Sequence, residues 1–330
     1  MPLDPSPEAF GLHDNAEITT NQNATREILG NVLSIQPRAS GGGGQTREEK
    51  IAAISKEIEG QVPPPFDVQE VAERYPTDYN ESMNTVLTQE LVRYNKLLVV
   101  MKDMLVNVQR ALIGEVVMSE DLEAMSESLF NNLVPEAWAP NLGFLSLKPL
   151  ASWVIDLLDR VQFLQKWIDA GPPACFWISG FFFPQAFFTG QLQNYARKHT
   201  IAIDQLSFEH KVYDEIQATE VTEKPEDGCF CYGMYIEGAR WNATSHLLDE
   251  SKPKQLYSEF PMVWFLPKKD RKKPETGLYT CPVYKVLSRA GTLSTTGHST
   301  NFCLFMELPS REEEDVWVRA GVACFLALRY

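Results

Sequence analysis

The hydrophobic pattern of this sequence changes its period once, near residue 200, which limits the chain to folds that keep helices and strands apart. Before residue 200, apolar side chains recur at steps of three and four residues, and after it they alternate with polar side chains along short segments. A run of helices followed by a run of strands is typical of the α+β class. We therefore predict a helical subdomain over 1–199 and an antiparallel β subdomain over 200–330.

The strongest helical signal is a long amphipathic segment over 80–113. Its apolar residues recur at three- and four-residue steps: Met83, Leu87, Tyr94, Leu97, Met101, Leu105, Val108 and Leu112. At a rise of 1.5 Å per residue, such a segment forms a rod about 50 Å long. We interpret its apolar stripe as packing core rather than as a cofactor site.

Other segments carry helix start signals. Thr46 and Glu49 have the spacing of a capping box, and Ser119 is placed to cap the helix after it. The segment "NAEITTNQNATREILGNVLSIQ", which starts at Asn15, is also predicted to be helical, with Ile18, Thr25, Ile28, Leu29, Val32 and Leu33 near one face. A glycine-rich joint at 39–46 follows it, and we expect this joint to be flexible. It lacks the Lys-Ser/Thr pair that completes a phosphate-binding loop.

The stretch "PACFWISGFFFPQAFFTG" at 173–190 is dense in aromatic residues. A membrane span needs about 20 mostly apolar residues, and polar residues and Pro184 interrupt this run. We predict a buried strand over 174–182 and then a helix that starts at Pro184, because a proline in the first turn loses no hydrogen bond. The aromatic side chains are then expected to be buried where the helices meet the sheet.

Six strand-like segments follow residue 200 and are separated by turn residues. They are "LSFEHKVY", "CFCYGMYIE", "LYSEFPMVWFLP", "LYTCPVYKVL", "NFCLFMEL" and "VWVRAGVACFLALRY". An open sheet of six strands exposes two unpaired edges, so we expect closure, or cover of an edge by a helix. The predicted β subdomain is therefore a small antiparallel β-barrel of about six strands.

Charge and cysteine content exclude several classes of partner. The formal net charge is −14, which repels phosphate backbones and anionic lipid, so we expect neither nucleic acid nor membrane as a partner. The six cysteines lie in apolar, strand-like settings without metal-ligand spacing, which favours reduced thiols and predicts no metal site. We expect an intracellular protein without disulfides.

No arrangement of residues carries a catalytic signature. The histidines form no metal-binding or catalytic motif, and no GxSxG elbow occurs. The hydroxyl-rich segment "RAGTLSTTGHSTNF" at 289–302 has two interpretations. It is either a structural connection whose Ser and Thr bond their own backbone or a loop that contacts an anion or a partner.

Six segments are distinctive and follow one another along the sequence: "PEAFGLHDNAEIT", "SMNTVLTQELVRYNKLL", "LKPLASWVIDLLDRVQFLQKWI", "FWISGFFFPQAFFTGQLQNYARK", "EGARWN" and "GTLSTTGHSTNF". In this order they resemble the C-terminal domain of dynein heavy chains, the axonemal type more than the cytoplasmic type. The resemblance covers nearly the whole sequence, and the short "MPLDPSP" start is typical of an excised fragment.

The resemblance implies a regulatory domain without catalytic or cofactor-binding residues. Such a domain packs on the AAA+ ring of the same heavy chain and modulates ATPase activity, force and movement in the axoneme of a cilium or flagellum. ATP, Mg and the microtubule-binding stalk would belong to the parent motor upstream. Candidate partner contacts are Phe10, Leu12, Thr295, Thr296 and His298. The alternative is a small-molecule or anion-binding module that uses the barrel mouth and the 291–302 loop.

Overall fold

The computed structural model describes residues 15–35, 46–139, 142–274, 276–292 and 299–328. Within these ranges the helices are α1 (Asn15–Ile35), α2 (Arg47–Gln61), α3 (Val68–Arg74), α4 (Ser82–Leu112), α5 (Glu120–Phe130), α6 (Leu150–Ala170), α7 (Pro184–His199) and α8 (Glu314–Arg319). The strands are β1 (Cys175–Trp177), β2 (Leu206–Tyr213), β3 (Cys229–Tyr232), β4 (Met234–Glu237), β5 (Ala239–Asn242), β6 (Leu247–Glu250), β7 (Tyr257–Phe260), β8 (Met262–Lys269), β9 (Leu278–Val286), β10 (Phe302–Pro309) and β11 (Ala323–Ala327).

The helical part confirms the predicted long helix and its boundaries. The stripe of α4 is buried, and Leu87, Tyr94 and Leu105 have no exposed surface. Thr46 and Glu49 form the predicted capping box, with each side chain accepting from the backbone N–H of the other. These local signals are decisive because a helix leaves its first N–H groups without partners inside the helix.

The aromatic stretch at 173–190 joins the helices to the sheets, as predicted. The expected strand is short, since β1 covers three residues and a 3-10 turn over Ile178–Gly180 follows it. Pro184 is the first residue of α7. Phe187 is fully buried, and its ring centroid lies 4.8 Å from that of Phe176 and 4.7 Å from that of Phe181. We call the packed rings of Trp167, Phe176, Phe181, Phe187, Phe188 and Phe265 the aromatic seam.

A buried carboxylate holds the backbone that follows β1 against α4. Glu90 is 1% exposed, and its carboxylate accepts from the backbone N–H groups of Phe182 at 2.6 Å and Phe183 at 3.2 Å. Burial raises the pKa of Glu90, and these hydrogen bonds and Arg93 oppose the increase. The hydroxyl of Tyr94, one turn further along α4, donates to the carbonyl of Gly180 at 2.8 Å. The last residue of the 3-10 turn and the backbone that follows it are therefore held against α4.

The strands form three sheets rather than the predicted barrel. One sheet has the order β1-β3-β8-β2, a second has the order β10-β9-β11-β4-β7, and β5 pairs with β6. The pairs β1–β3 and β9–β11 are parallel, and the other pairs are antiparallel. The α+β class is confirmed, but the closed and purely antiparallel barrel of about six strands is wrong.

Two predicted strands are each interrupted by a bend, which explains why the barrel prediction is wrong. The segment predicted as one strand over 229–237 is divided at Gly233, and the next one, predicted over 256–267, is divided at Pro261. Each half then pairs in a different sheet, with Cys231 opposite Val263 and Met234 opposite Phe260. Gly233 has φ +90°, and a Cβ there would lie 2.4 Å from Trp177. Only glycine permits this bend without strain.

The last segment was predicted to be a single strand, which is also wrong in its first half. Residues 314–319 form α8, and only 323–327 form β11. Acidic residues in the first turn of α8 favour a helix start.

The β5–β6 hairpin was not predicted at all. The division of the chain at residue 199 stays a prediction. Within the described ranges, no helix has the length and apolarity needed to cross a bilayer.

The two larger sheets meet between β2 and β10, where His210 forms a hydrogen bond across the junction. The backbone N–H of Glu307 donates to Nδ1 of His210 at 3.3 Å, and the imidazole packs edge-on to the Phe265 ring at 5.1 Å. Burial, followed by the charge of Arg271, lowers the pKa of His210 to about 3. The side chain is therefore neutral in the folded protein at pH 7 and accepts the hydrogen bond through Nδ1.

Replacing Phe187 with alanine should destabilise the protein by about 3–5 kcal/mol, because the substitution leaves a cavity inside the aromatic seam. Urea unfolding of both proteins measures the difference. Phe183→Ala is the matched control, since that side chain is 41% exposed and its loss should cost about 1 kcal/mol or less. Equal stability of the Phe187→Ala variant and the parent would contradict the burial assigned to Phe187.

The neutral state of His210 predicts a pH dependence of stability. The ordinary pKa of histidine, 6.5, is lowered to about 3 on folding, so below pH 6.5 the unfolded protein binds a proton that the folded protein excludes. Stability should therefore fall as the pH decreases from 6.5 towards 3. Between pH 7 and pH 4.5, the parent should lose about 2 kcal/mol more than His210→Asn, whose side chain does not titrate. Equal losses in the two proteins would refute this assignment.

Candidate functional site

Helix α1 lies on the surface with almost no buried side chain. Among its described side chains, only Asn15 is buried, and Ile18 and Thr19 are half-buried. Ile28, Leu29 and Val32 are 62%, 55% and 49% exposed. We call these three residues the α1 stripe. In proteins, most of the stability of a helix comes from packing of its apolar face, so an uncovered apolar stripe is typical of an interaction surface.

The base of α1 is fixed to the β region by the side chain of Asn15. Its Nδ2 donates to the carbonyls of Lys252 at 3.2 Å and Gln255 at 3.0 Å. Its Oδ1 accepts from the backbone N–H of Lys254 at 2.8 Å. Lys254 has φ +66°, so the turn at 252–255 contains a left-handed residue. The amide therefore binds three backbone groups of one turn.

A groove of about 180 Å³ separates the middle of α1 from the second sheet. It is lined by Thr19, Gln22, Asn23, Arg26, Leu147, Glu237, Tyr257, Leu287 and Ser288. At 100° per residue, the α1 residues that line the groove lie about 120° around the helix from the α1 stripe. The stripe therefore does not face the groove.

The loop that connects β9 to β10 starts and ends beside this groove. Asn301 is fully buried at its end, where Oδ1 accepts from the N–H of Val286 at 3.0 Å and Nδ2 donates to the carbonyl of Ala290 at 3.1 Å. The N–H of Thr300 donates to the carbonyl of Thr292 at 2.9 Å. The two ends of the loop are thus joined by hydrogen bonds that do not depend on its tip.

An arginine attaches the same loop to the second sheet. One terminal NH2 nitrogen of Arg289 donates to Oε2 of Glu237 at 2.6 Å and to the carbonyl of Gly321 at 2.8 Å. Its guanidinium lies 5.2 Å from the centroid of the Phe325 ring. Glu237 also lines the groove beneath α1, so α1 and the loop base meet at this carboxylate.

The candidate partner contacts named from the sequence lie outside the described residues. Phe10 and Leu12 precede α1, and Thr295, Thr296 and His298 belong to the undescribed part of the β9–β10 loop. Their role as partner contacts stays a prediction. The structure does bring together the described flanks of both segments, α1 and the loop base. Asn15 and Arg289 were not predicted, because their partners lie 237–240 and 32–52 residues away in the sequence.

The cysteines of this protein are poorly suited to nucleophilic chemistry. All six cysteines are buried free thiols, and burial raises the pKa of Cys175 and of Cys303 to about 12. A thiol with such a pKa is protonated at pH 7 and is a poor nucleophile. Among the described side chains, no group of three or more His, Cys, Asp or Glu has the geometry to hold a metal ion.

Comparison with known proteins gives consistent matches along the whole sequence. A family model for the C-terminal domain of the dynein heavy chain matches residues 22–326. Dynein axonemal heavy chain 1 of Rattus norvegicus is 52% identical over 330 residues, which is 100% of this chain and 7% of that protein. Dynein axonemal heavy chain 3 of Homo sapiens is 45% identical over 328 residues, covering 99% of this chain and 8% of that protein. Dynein axonemal heavy chain 12 of Rattus norvegicus is 43% identical over 330 residues, covering 99% and 10%.

Removing the amide of Asn301 should loosen the loop base. In Asn301→Ala the buried N–H of Val286 loses its acceptor, which we expect to lower the free energy of unfolding by about 1–3 kcal/mol. Thermal and urea unfolding measure the change, and amide exchange should increase at 286–292 and 299–301. Asn80→Ala, at an exposed asparagine, serves as the control and should change neither quantity. Unaltered exchange at the loop base in Asn301→Ala would rule out this role.

Proposed function

The chain belongs to the family formed by the C-terminal domains of dynein heavy chains, and we propose that it regulates the motor by packing on the AAA+ ring of its own heavy chain. It spans a tenth or less of the length of the relatives it matches. Most of a parent heavy chain would therefore be available as a partner. The observation that carries the proposal is the α1 stripe, which is exposed on a helix with one buried side chain among those described.

Burial of the stripe would supply the energy for docking. Each large aliphatic residue that becomes covered contributes about 1.5–3 kcal/mol, so three such residues suffice for a contact that forms within one polypeptide. The same contact would stabilise α1, whose own interactions with the sheets are few. The apolar character of the stripe favours a protein partner over an anion.

The helical part is suited to transmit a difference in binding free energy across the ring. Helix α4 has 31 residues, and at 1.5 Å per residue it is about 46 Å long. Its buried stripe packs against the other helices, and the Glu90 hydrogen bonds connect it to the segment between β1 and α7. If the domain binds two states of the ring unequally, it shifts their populations by that difference in free energy, and about 1.4 kcal/mol corresponds to a tenfold shift.

The proposed role assigns no catalysis to this chain. ATP and Mg would be bound by the ring of the parent motor, and microtubules would be bound through its upstream stalk. The relatives are named axonemal heavy chains, which supports a location in the axoneme of a cilium or flagellum. The alternative of a ligand-binding barrel mouth lacks its structural basis, because the sheets are not closed.

The proposal predicts different effects in the isolated domain and in the motor. In the triple variant Ile28→Gln, Leu29→Gln and Val32→Gln, glutamine preserves helix propensity while removing apolar surface. The melting temperature of the isolated domain should stay within about 2 °C of the parent, because exposed side chains contribute little to stability. In a full-length heavy chain, the same variant should shift the ATPase rate towards that of a heavy chain truncated before Phe10.

The double variant Ala24→Gln and Glu27→Gln is the matched control, since both residues are exposed on the same helix. It should retain the parental ATPase rate. The truncated motor must itself differ from the parent in ATPase rate or in microtubule gliding. If the truncated motor equals the parent, or if the stripe variant equals the parent where the truncation does not, docking through the α1 stripe is refuted.

A further inference from the structure

Asn15 attaches α1 to the β region and is the one buried residue among the described side chains of this helix. Asn15 is 7% exposed, and all three of its described hydrogen bonds end on the turn at 252–255, nearly 240 residues away in the sequence. The middle of the helix faces an open groove, and the α1 stripe points elsewhere. A partner can therefore cover the stripe without displacing Asn15.

We propose that Asn15 is the residue that couples α1 to the sheets. Movement of a partner docked on α1 would then be transmitted to the β region at 252–255. This inference rests on the proposed function, because it presumes that α1 docks on the rest of the heavy chain. Asn15 is a positioning residue in this role. It acts through the backbone turn and not through contact with the partner.

The chemistry of the contact requires asparagine. Its amide nitrogen supplies two donors for two carbonyls, and its oxygen accepts from one N–H, so one planar group satisfies all three. Aspartate retains the acceptor but places a negative oxygen against the carbonyls of Lys252 and Gln255. Alanine removes all three bonds and leaves the backbone groups of the turn without these partners.

The position of the turn at 252–255 determines which strands and loops a displacement of the turn would affect. The turn lies between β6 and β7, and β7 is the edge strand of the second sheet, paired with β4. Strand β4 continues through Gly233 into β3 of the first sheet. Glu237, at the end of β4, binds Arg289 of the loop base. A displacement at 252–255 therefore has a continuous path to both sheets and to the β9–β10 loop.

The first test uses the 330-residue protein with spin labels on Glu27→Cys and Glu259→Cys. The six native cysteines are buried, so labelling without denaturant is selective for the two introduced sites. We expect a narrow distance distribution in the parent and a broad one in Asn15→Ala and Asn15→Asp. Amide exchange over 17–32 should increase at least about tenfold in both variants, while exchange in β7 and β4 increases less.

Lys254→Gly is the matched control, because glycine keeps the N–H and accepts the left-handed φ of residue 254. It should retain the narrow distribution. Asn15→Asp preserves the size of the side chain, so it tests the contact even if Asn15→Ala folds poorly. A narrow distance distribution in both Asn15 variants would overturn the proposal, regardless of the ATPase rate of the full-length heavy chain.

The second test places Asn15→Ala in the full-length heavy chain beside the stripe variant. We expect its ATPase rate to shift in the same direction as that of the stripe variant and to reach at least half of that shift. Parental activity in Asn15→Ala, together with an altered stripe variant, would refute the coupling role and leave the docking proposal intact. If truncation before Phe10 changes the ATPase rate but Asn15→Ala and the stripe variant both keep the parental rate, docking through the α1 stripe is refuted. The coupling role of Asn15 is then refuted as well.

Discussion

The aromatic seam is the interaction on which the rest of the structure depends. Trp167 of α6, Phe176 of β1, Phe187 of α7 and Phe265 of β8 belong to one continuous set of packed rings. The helices and the sheets therefore share one core rather than meeting at a thin interface. Large aromatic side chains carry much of the burial energy in such a core, and their edge-to-face geometry fixes how the layers are oriented. Any role in transmission requires this rigid connection.

Glu90 refines the orientation that the aromatic seam permits. A buried carboxylate is costly unless it is hydrogen-bonded, and here two consecutive backbone N–H groups supply the bonds. The cost makes the arrangement specific, since a displaced backbone would remove both of these hydrogen bonds and leave only the ion pair with Arg93. By contrast, α1 has no fully buried apolar or charged residue among its described side chains, and one neutral amide forms its contact with the turn at 252–255. The molecule thus combines a strongly determined core with an arm whose apolar stripe is uncovered.

The incorrect prediction of a barrel shows that the hydrophobic pattern of a sequence does not determine how its strands pair. Residues 229–237 and 256–267 each have the apolar content of a single strand, and nothing in their hydrophobicity indicates that each one is divided between two sheets. Gly233 and Pro261 lie inside these segments, but whether a bend there closes a barrel or separates two sheets depends on strand pairing. Pairing is a long-range property, and the parallel match of β1 with β3 joins segments more than fifty residues apart. Alternation within a strand carries no information about that partner.

Local signals in the sequence by themselves determined the helices: the stripe of α4, the capping box of Thr46 and Glu49, and the start of α7 at Pro184. Each of these depends on residues within a few positions of one another, so its physical cause is contained in a short segment. Family membership followed from strings of residues distributed along the whole sequence. The tertiary structure alone decided the open sheets, the exposure of the α1 stripe and the contact of Asn15 with 252–255. The same helical periodicity is compatible with a buried or an uncovered face, and only the positions of distant backbone groups distinguish the two.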